Sequence, residues 1–374
     1  MHRPAATAPP TPQPQPRRRP PTPPPGSASW RDPWVQLKTF SYHPTIYPAM
    51  IRQASATACP GSLVAVYDKE GQPFGAGLYN PRARVPLRVC YHGTEPFDET
   101  GFVRLLDQAV ALRLDLLRLP EETDAFRVVH SDGDRLSGLV VDRYGDVLSA
   151  AVHSLGVFQR LPKWLPHLHT RLGTQRAVVE VEPAVARAEG IATRKFVSDA
   201  VRSVLIREHG VRYEVDFDEG HKTGFFCDQR GNRRRLADLV RDRRVLDLCC
   251  YTGGFALAAK VLGHATEVTG VDLDEKAVAR ARRNANLNQV RVEWVHCDAF
   301  AYARQMQKNE RRWDAVVLDP PKLLLHRDET DEGMRKYEDL NGLALSLVAP
   351  GGLFVTCSCS GLLSAEDFER LVIR

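Results

Sequence analysis

At 374 residues, 43% of them hydrophobic and 26% charged, the chain is too long for a single core and predicts two or three domains of a soluble globular protein. Its formal charge of +5 comes mostly from Arg3 and Arg17 to Arg19; without them 47 Lys and Arg face 46 Asp and Glu, so a basic surface can arise only from the distribution of charge. No run of about 18 apolar residues is present to span a bilayer, and no apolar N-terminal stretch resembles a leader, which reads as a cytoplasmic protein with no membrane contact.

The eight cysteines are Cys59, Cys90, Cys227, Cys249, Cys250, Cys297, Cys357 and Cys359, and no two have the spacing of a zinc knuckle. Metal is therefore not expected, and in a cytosolic protein disulfides are disfavoured.

Residues 1–34 are rich in Pro and Arg and are expected to be a disordered tail. Residues 35–98 alternate short β runs with turns ("SLVAVYD", "FGAGLYN", "VPLRV") and predict a small β-barrel. Residues 99–205 open with a helical pattern, pass through the strand-like runs "AFRVVHS", "SGLVVDR" and "VLSAAVHS", and predict an α+β middle domain. In 206–374, five buried β runs alternate with helices, the pattern of a parallel sheet covered on both faces.

The first of these runs, "VLDLCC", carries Asp247 and leads into Gly253 and Gly254, which open a helix and let backbone approach a ligand. The G-x-G-x-x-G spacing of a dinucleotide site is missing. The second run ends in Asp272, placed to accept ribose hydroxyls, with Asp274 the better helix cap. The third ends in Asp298, where a carboxylate can face an adenine amino group, and the fourth in "LDPPK", with a stiff Pro-Pro loop able to hold a planar base and Asp319 and Lys322 as candidate catalytic residues. Acids at successive strand ends with these spacings predict a methyltransferase that uses S-adenosylmethionine.

The fifth run, "GGLFVTCSCSG", puts Cys357 and Cys359 at the end of a central strand. An exocyclic amine needs no cysteine to be methylated. Carbon 5 of a pyrimidine does, because thiolate attack on carbon 6 makes carbon 5 nucleophilic.

At these residues the chain resembles the ribosomal RNA large subunit methyltransferase I family, which makes 5-methylcytidine in bacterial 23S ribosomal RNA. The resemblance covers residues 40 to 370 and includes "GLYNPRARVPLRV", "VVHSDGDRLSGLVVDRYGD", "GHKTGFFCDQRGNRR", "DLCCYTGGF", "LDPPK" and "TCSCS". It implies an α/β fold: a class I (Rossmann-like) methyltransferase domain preceded by a PUA-like β-barrel and the α+β module.

It further implies a cofactor pocket lined by Lys222, Thr223, Gly224, Phe225, Phe226, Tyr251, Thr252, Gly253, Gly254, Asp272, Asp298 and Asp319, with Asp247 and Ala299 beside them and Gln229 and Arg230 closing it. Cys359 is preferred to Cys357 as nucleophile. The implied partner is 23S ribosomal RNA or its precursor, and a homodimer is left open.

The chain departs from related patterns in four places. The fourth-strand loop reads Pro-Pro-Lys rather than the Pro-Cys of the larger cytosine-5 group, leaving the base for the carbon-5 proton unassigned. "VEPAVARAEG" replaces a more polar stretch in the middle module, and residues 1–34 have no counterpart. The chain stops soon after the fifth strand, which predicts a sheet lacking its last two strands and a truncated or impaired domain. The rival readings are a purine methyltransferase on the same sheet and a non-catalytic RNA-binding relative.

Overall fold

The computed structural model describes residues 22–192, 200–217, 225–324 and 326–373. The first sheet contains β1 (Trp34–Leu37), β2 (Thr45–Ile46), β3 (Ile51–Ala54), β4 (Ser62–Tyr67), β5 (Pro73–Tyr79) and β6 (Leu87–His92), in the order β2-β6-β5-β4-β1-β3. Val35 and Leu37 of β1 share one buried cluster with Ile46 of β2, although four places separate these strands. The sheet therefore curls around its own apolar face.

The expected tail boundary at residue 34 is corrected here. Trp30 stacks on Tyr67 with ring centroids 4.2 Å apart, and the Arg31 N–H donates to the Tyr67 hydroxyl at 2.8 Å, so the chain is fixed to the barrel before β1 begins. Residues 1–21 lie outside the described residues.

The middle module comprises α1 (Glu99–Ala111), β7 (Ala125–His130), β8 (Leu139–Tyr144), β9 (Val147–Val152), α2 (Leu155–Leu172), β10 (Arg176–Glu180) and α3 (Pro183–Glu189). Asp98 caps α1 by accepting the Thr100 and Gly101 N–H groups. The sheet order is β10-β9-β8-β7, and Phe102, Leu106, Leu161 and Leu168 of the two long helices pack on Val128, Leu139, Val141 and Leu148.

Strands β11 (Ser203–Glu208) and β12 (Val211–Asp216) form a hairpin paired along its whole length, so a domain boundary at 205/206 would cut a strand. The hairpin belongs to both neighbours. The Arg207 N–H donates to Asp124 ahead of β7, while the Glu214 and Arg212 N–H groups donate to the side chains of Asn284 and Asn288.

The last sheet is β13 (Arg244–Leu248), β14 (Glu267–Asp272), β15 (Glu293–His296), β16 (Trp313–Leu318) and β17 (Val348–Thr356), all parallel in the order β15-β14-β13-β16-β17. Its helices are α4 (Arg230–Ala237), α5 (Gly254–Val261), α6 (Glu275–Leu287), α7 (Ala299–Lys308), α8 (Thr330–Ser346) and α9 (Ala365–Ile373). Val245, Leu246, Leu248, Val316, Val317 and Leu318 are completely buried, which is why β13 and β16 read as unbroken apolar runs.

Among the described residues β17 pairs only with β16, the expected edge. Helix α9 returns against α8 through an edge contact of Phe368 with Tyr337 and is not anticipated by the sequence patterns. No described helix is long and apolar enough to cross a membrane.

One buried ion pair joins these parts. Arg233 on α4 donates through Nε and Nη2 to both carboxylate oxygens of Glu208 at 2.7 Å, and the side chains are 3% and 2% exposed. Removing one partner leaves a buried charge uncompensated. Arg233→Met and Glu208→Gln should each lower unfolding free energy in urea by about 3–5 kcal/mol, and the double replacement Arg233→Met with Glu208→Leu should cost less than the two singles together.

Candidate active site

Strand order reverses at β13: β14 and β15 lie on one side of it, β16 and β17 on the other. In such a sheet the crevice outside the carboxyl ends of the strands at the reversal is where ligands bind. The structure brings four of the expected acids to those ends, each in a different state.

Asp247, near the end of β13, is 1% exposed; its Oδ2 accepts the Ala256 N–H of α5 at 2.9 Å, and its Oδ1 is buried with no partner among the described residues. Burial, and then the charges of Asp319 and Asp272, push its carboxyl well above the usual carboxylate range. Asp272 accepts the Tyr251 N–H at 2.7 Å through Oδ2 and the Asp274 N–H at 2.9 Å through Oδ1. It braces the loop between β13 and α5 against β14, and Asp274 caps α6, as the spacing predicts. Asp298 is exposed and caps α7 by accepting the Ala301 N–H at 2.9 Å.

Asp319 follows β16, and its N–H donates to Leu248 O of β13 at 3.3 Å. Gln229 Nε2 donates to Asp319 Oδ2 at 3.1 Å, and Asn232 Nδ2 holds Gln229 Oε1 at 2.6 Å. Burial, followed by the charge of Asp228, raises the Asp319 carboxyl to about 6. Burial, and then the charges of these four acids, push up the thiol of Cys249, which follows β13 at the same strand ends.

The loop between β13 and α5 carries two non-glycine residues in the left-handed region, Cys249 at φ 61° and Tyr251 at φ 49°. That conformation is uncommon for such residues and is found at ligand-holding sites. Gly253 has φ 87°, and a Cβ there would sit 2.5 Å from the Trp294 indole. A side chain at this position is therefore opposed both by the backbone conformation and by Trp294.

Other expected pocket residues divide. Phe226 places its ring edge-on to Tyr251 at 5.4 Å, and both are half-buried. Phe225 goes the other way, into the core beneath the Arg233 guanidinium at 4.7 Å, with its carbonyl accepting the Tyr144 hydroxyl. Thr252 and Ala299 are buried, and Gly254 starts α5 with its carbonyl accepting the Tyr213 hydroxyl at 3.3 Å. Arg230, expected to close the pocket, has its Nε 3.5 Å from Glu122, ahead of β7, while Arg233 one turn on is buried. Helical spacing contains the signal, since Arg233 lies on the same face as Leu236, Ala237 and Val240. Lys222, Thr223 and Gly224 lie outside the described residues.

After β17 the Cys357 N–H donates to Leu318 O at 2.9 Å, keeping the two thiols beside the β16 loop. Cys357 is half-buried; burial and then Asp319 push its thiol up to about 11. Cys359 is exposed, its Sγ 3.9 Å from Pro320 O. Lys322 is exposed on the same loop.

A family model of S-adenosylmethionine-dependent methyltransferases matches residues 187–368, and a model of a PUA-like domain matches residues 39–90. Ribosomal RNA large subunit methyltransferase I of Salmonella arizonae is 32% identical over 337 residues, 88% of this chain and 83% of that protein. The ribosomal RNA large subunit methyltransferase of Deinococcus radiodurans is 35% identical over 88% of this chain and 84% of that protein. Among solved structures, the protein SMU.776 in complex with SAH superposes with a TM-score of 0.69 at 21% identity, over 83% of this chain and 81% of that one, a likeness of fold.

The residues present fit S-adenosylmethionine. The cluster of carboxylates complements its sulfonium and ammonium charges, and the unpartnered Asp247 Oδ1 is a buried acceptor in that cluster. With the sheet, its strand-end acids and a match along 88% of its length to proteins of that name, the chain belongs to the S-adenosylmethionine-dependent ribosomal RNA large subunit methyltransferase I family.

Proposed function

We propose that this chain methylates carbon 5 of a cytidine in large-subunit ribosomal RNA, with Cys359 as the nucleophile. The observation that carries this reading is the difference between the two thiols. Cys359 is open to solvent beside the Pro-Pro loop, whereas Cys357 is half-buried, and burial, followed by the charge of Asp319, keeps it in the thiol form at neutral pH.

Cys359 Sγ, after losing its proton, bonds to carbon 6 of the cytosine, and the electron pair of the 5,6 double bond moves towards carbon 5. S-adenosylmethionine supplies the methyl group that carbon 5 accepts. Loss of the carbon-5 proton then restores the double bond and releases Sγ from carbon 6. Asp319, ionised above about pH 6, puts a negative charge beside this centre, with Gln229 holding its orientation. Pro320 and Pro321 offer a rigid shelf for the base, and Lys322 offers a cation to RNA phosphate at the mouth of the site. The PUA-like barrel is assigned to hold structured RNA by backbone and shape, and the target base leaves its stack to reach the thiol.

Incubation with labelled S-adenosylmethionine and unmodified large-subunit ribosomal RNA, followed by digestion to nucleosides, should put the label in 5-methylcytidine. Cys359→Ala should abolish that product while Cys357→Ala keeps at least a tenth of it; label in a methylated purine would refute the proposal. Calorimetry should show the affinity for S-adenosylmethionine falling about tenfold as pH drops through 6, because protonation of Asp319 removes a charge that attracts the cation. In Asp319→Asn the affinity should start low and stay flat across the same window.

A further inference from the structure

In "TCSCS" residues alternate in what they touch. Thr356 Oγ1 donates to Asn341 Oδ1 at 2.7 Å, Ser358 Oγ donates to the Tyr337 hydroxyl at 3.0 Å, and Ser360 Oγ lies 2.8 Å from the same hydroxyl. All three hydroxyls meet α8. Cys357 and Cys359 meet the end of β16 and its loop instead, the Cys357 N–H at Leu318 O and the Cys359 Sγ at Pro320 O. The contacts alternate as side chains along a strand do, so fixing the hydroxyls fixes the thiols.

Tyr337 is completely buried, and its hydroxyl holds both serines that flank Cys359. Ser360 Oγ also accepts the Leu324 N–H at 3.3 Å, from the segment that follows the Pro-Pro loop. One hydroxyl thus joins the strand end bearing the nucleophile to the loop assigned to the base. Asn341, one turn later on α8, donates to Tyr337 O at 2.7 Å and extends the same row to Thr356. A phenylalanine would satisfy the packing at position 337, so the hydroxyl has its own role.

We propose that Tyr337 is a positioning residue for Cys359: through Ser358 and Ser360 its hydroxyl sets where Sγ stands relative to the Pro320 loop. This rests on Cys359 being the nucleophile. Tyr337→Phe keeps the ring and leaves two serine hydroxyls without their shared partner, with a loss of roughly one hydrogen bond's net contribution or more in the methyl-transfer step.

The test measures single-turnover methyl transfer, affinity for S-adenosylmethionine and the rate of Cys359 alkylation by iodoacetamide in full-length protein. Tyr337→Phe should slow methyl transfer by about 10- to 100-fold, leave cofactor affinity within about twofold and change the alkylation rate of Cys359. Ser358→Ala should show the same split, and Ser358→Thr, which keeps the hydroxyl, should recover most of the rate. Unchanged transfer in Tyr337→Phe overturns the inference, as does a loss matched by equal loss of cofactor affinity. If Tyr337→Phe does not fold, Ser358→Ala decides by the same criteria. Full product from Cys359→Ala would instead overturn the nucleophile assignment on which the inference rests.

Discussion

The site at the strand ends depends on the buried pair between Arg233 and Glu208. Arg233 does more than neutralise an acid: its Nη1 and Nη2 donate to Phe226 O at 3.1 Å, and its guanidinium covers the Phe225 ring. Glu208 ends a strand of the hairpin that is clipped to the middle module, so the pair fixes residues 225–229 with respect to both neighbours. Gln229, at the end of that segment, donates to Asp319. An ion pair this deep is costly to desolvate, and its worth here is the geometry it imposes.

A second clamp works from the other side of the sheet. Tyr337 and Asn341 on α8 hold the hydroxyls of "TCSCS", as Arg233 on α4 holds the segment before the sheet. Between the two lies the reversal of strand order, with Asp247 on β13, Asp319 just past the end of the adjacent β16, and Cys357 bonded through its N–H to Leu318. The acids there are not equivalent. Asp272 and Asp298 are engaged by backbone N–H groups, while Asp247 and Asp319 are pushed towards protonation by burial. A cationic ligand relieves that state, because its charge stabilises the carboxylate forms.

The sheet was legible in the sequence because a parallel sheet with both faces covered demands unbroken apolar strands, and an acid at the end of each stands out against them. Asp274 was readable as a cap because local spacing alone determines a cap. Tertiary pairing is a different matter. Arg233 and Glu208 are 25 residues apart, and nothing local distinguishes Arg233 from Arg230 except its place on the apolar face of α4. Phe225 and Phe226 are adjacent and diverge, one into the core and one towards Tyr251, as neighbours in extended chain do. Tyr337 carries no local signal of its role: α8 buries Gly333, Tyr337, Leu340, Asn341 and Ala344 along one face, where a tyrosine reads as one more core residue.

The central claim is that Cys359 forms a bond to the base during turnover. RNA carrying 5-fluorocytidine at the target position provides the most direct measurement, since after methyl transfer no proton can leave carbon 5 and the thioether to carbon 6 persists. Digestion and mass spectrometry should find the nucleotide on the peptide containing Cys359, in an amount that requires S-adenosylmethionine. Attachment at Cys357, or no attachment while the fluorine-free RNA is methylated at full rate, would contradict the account.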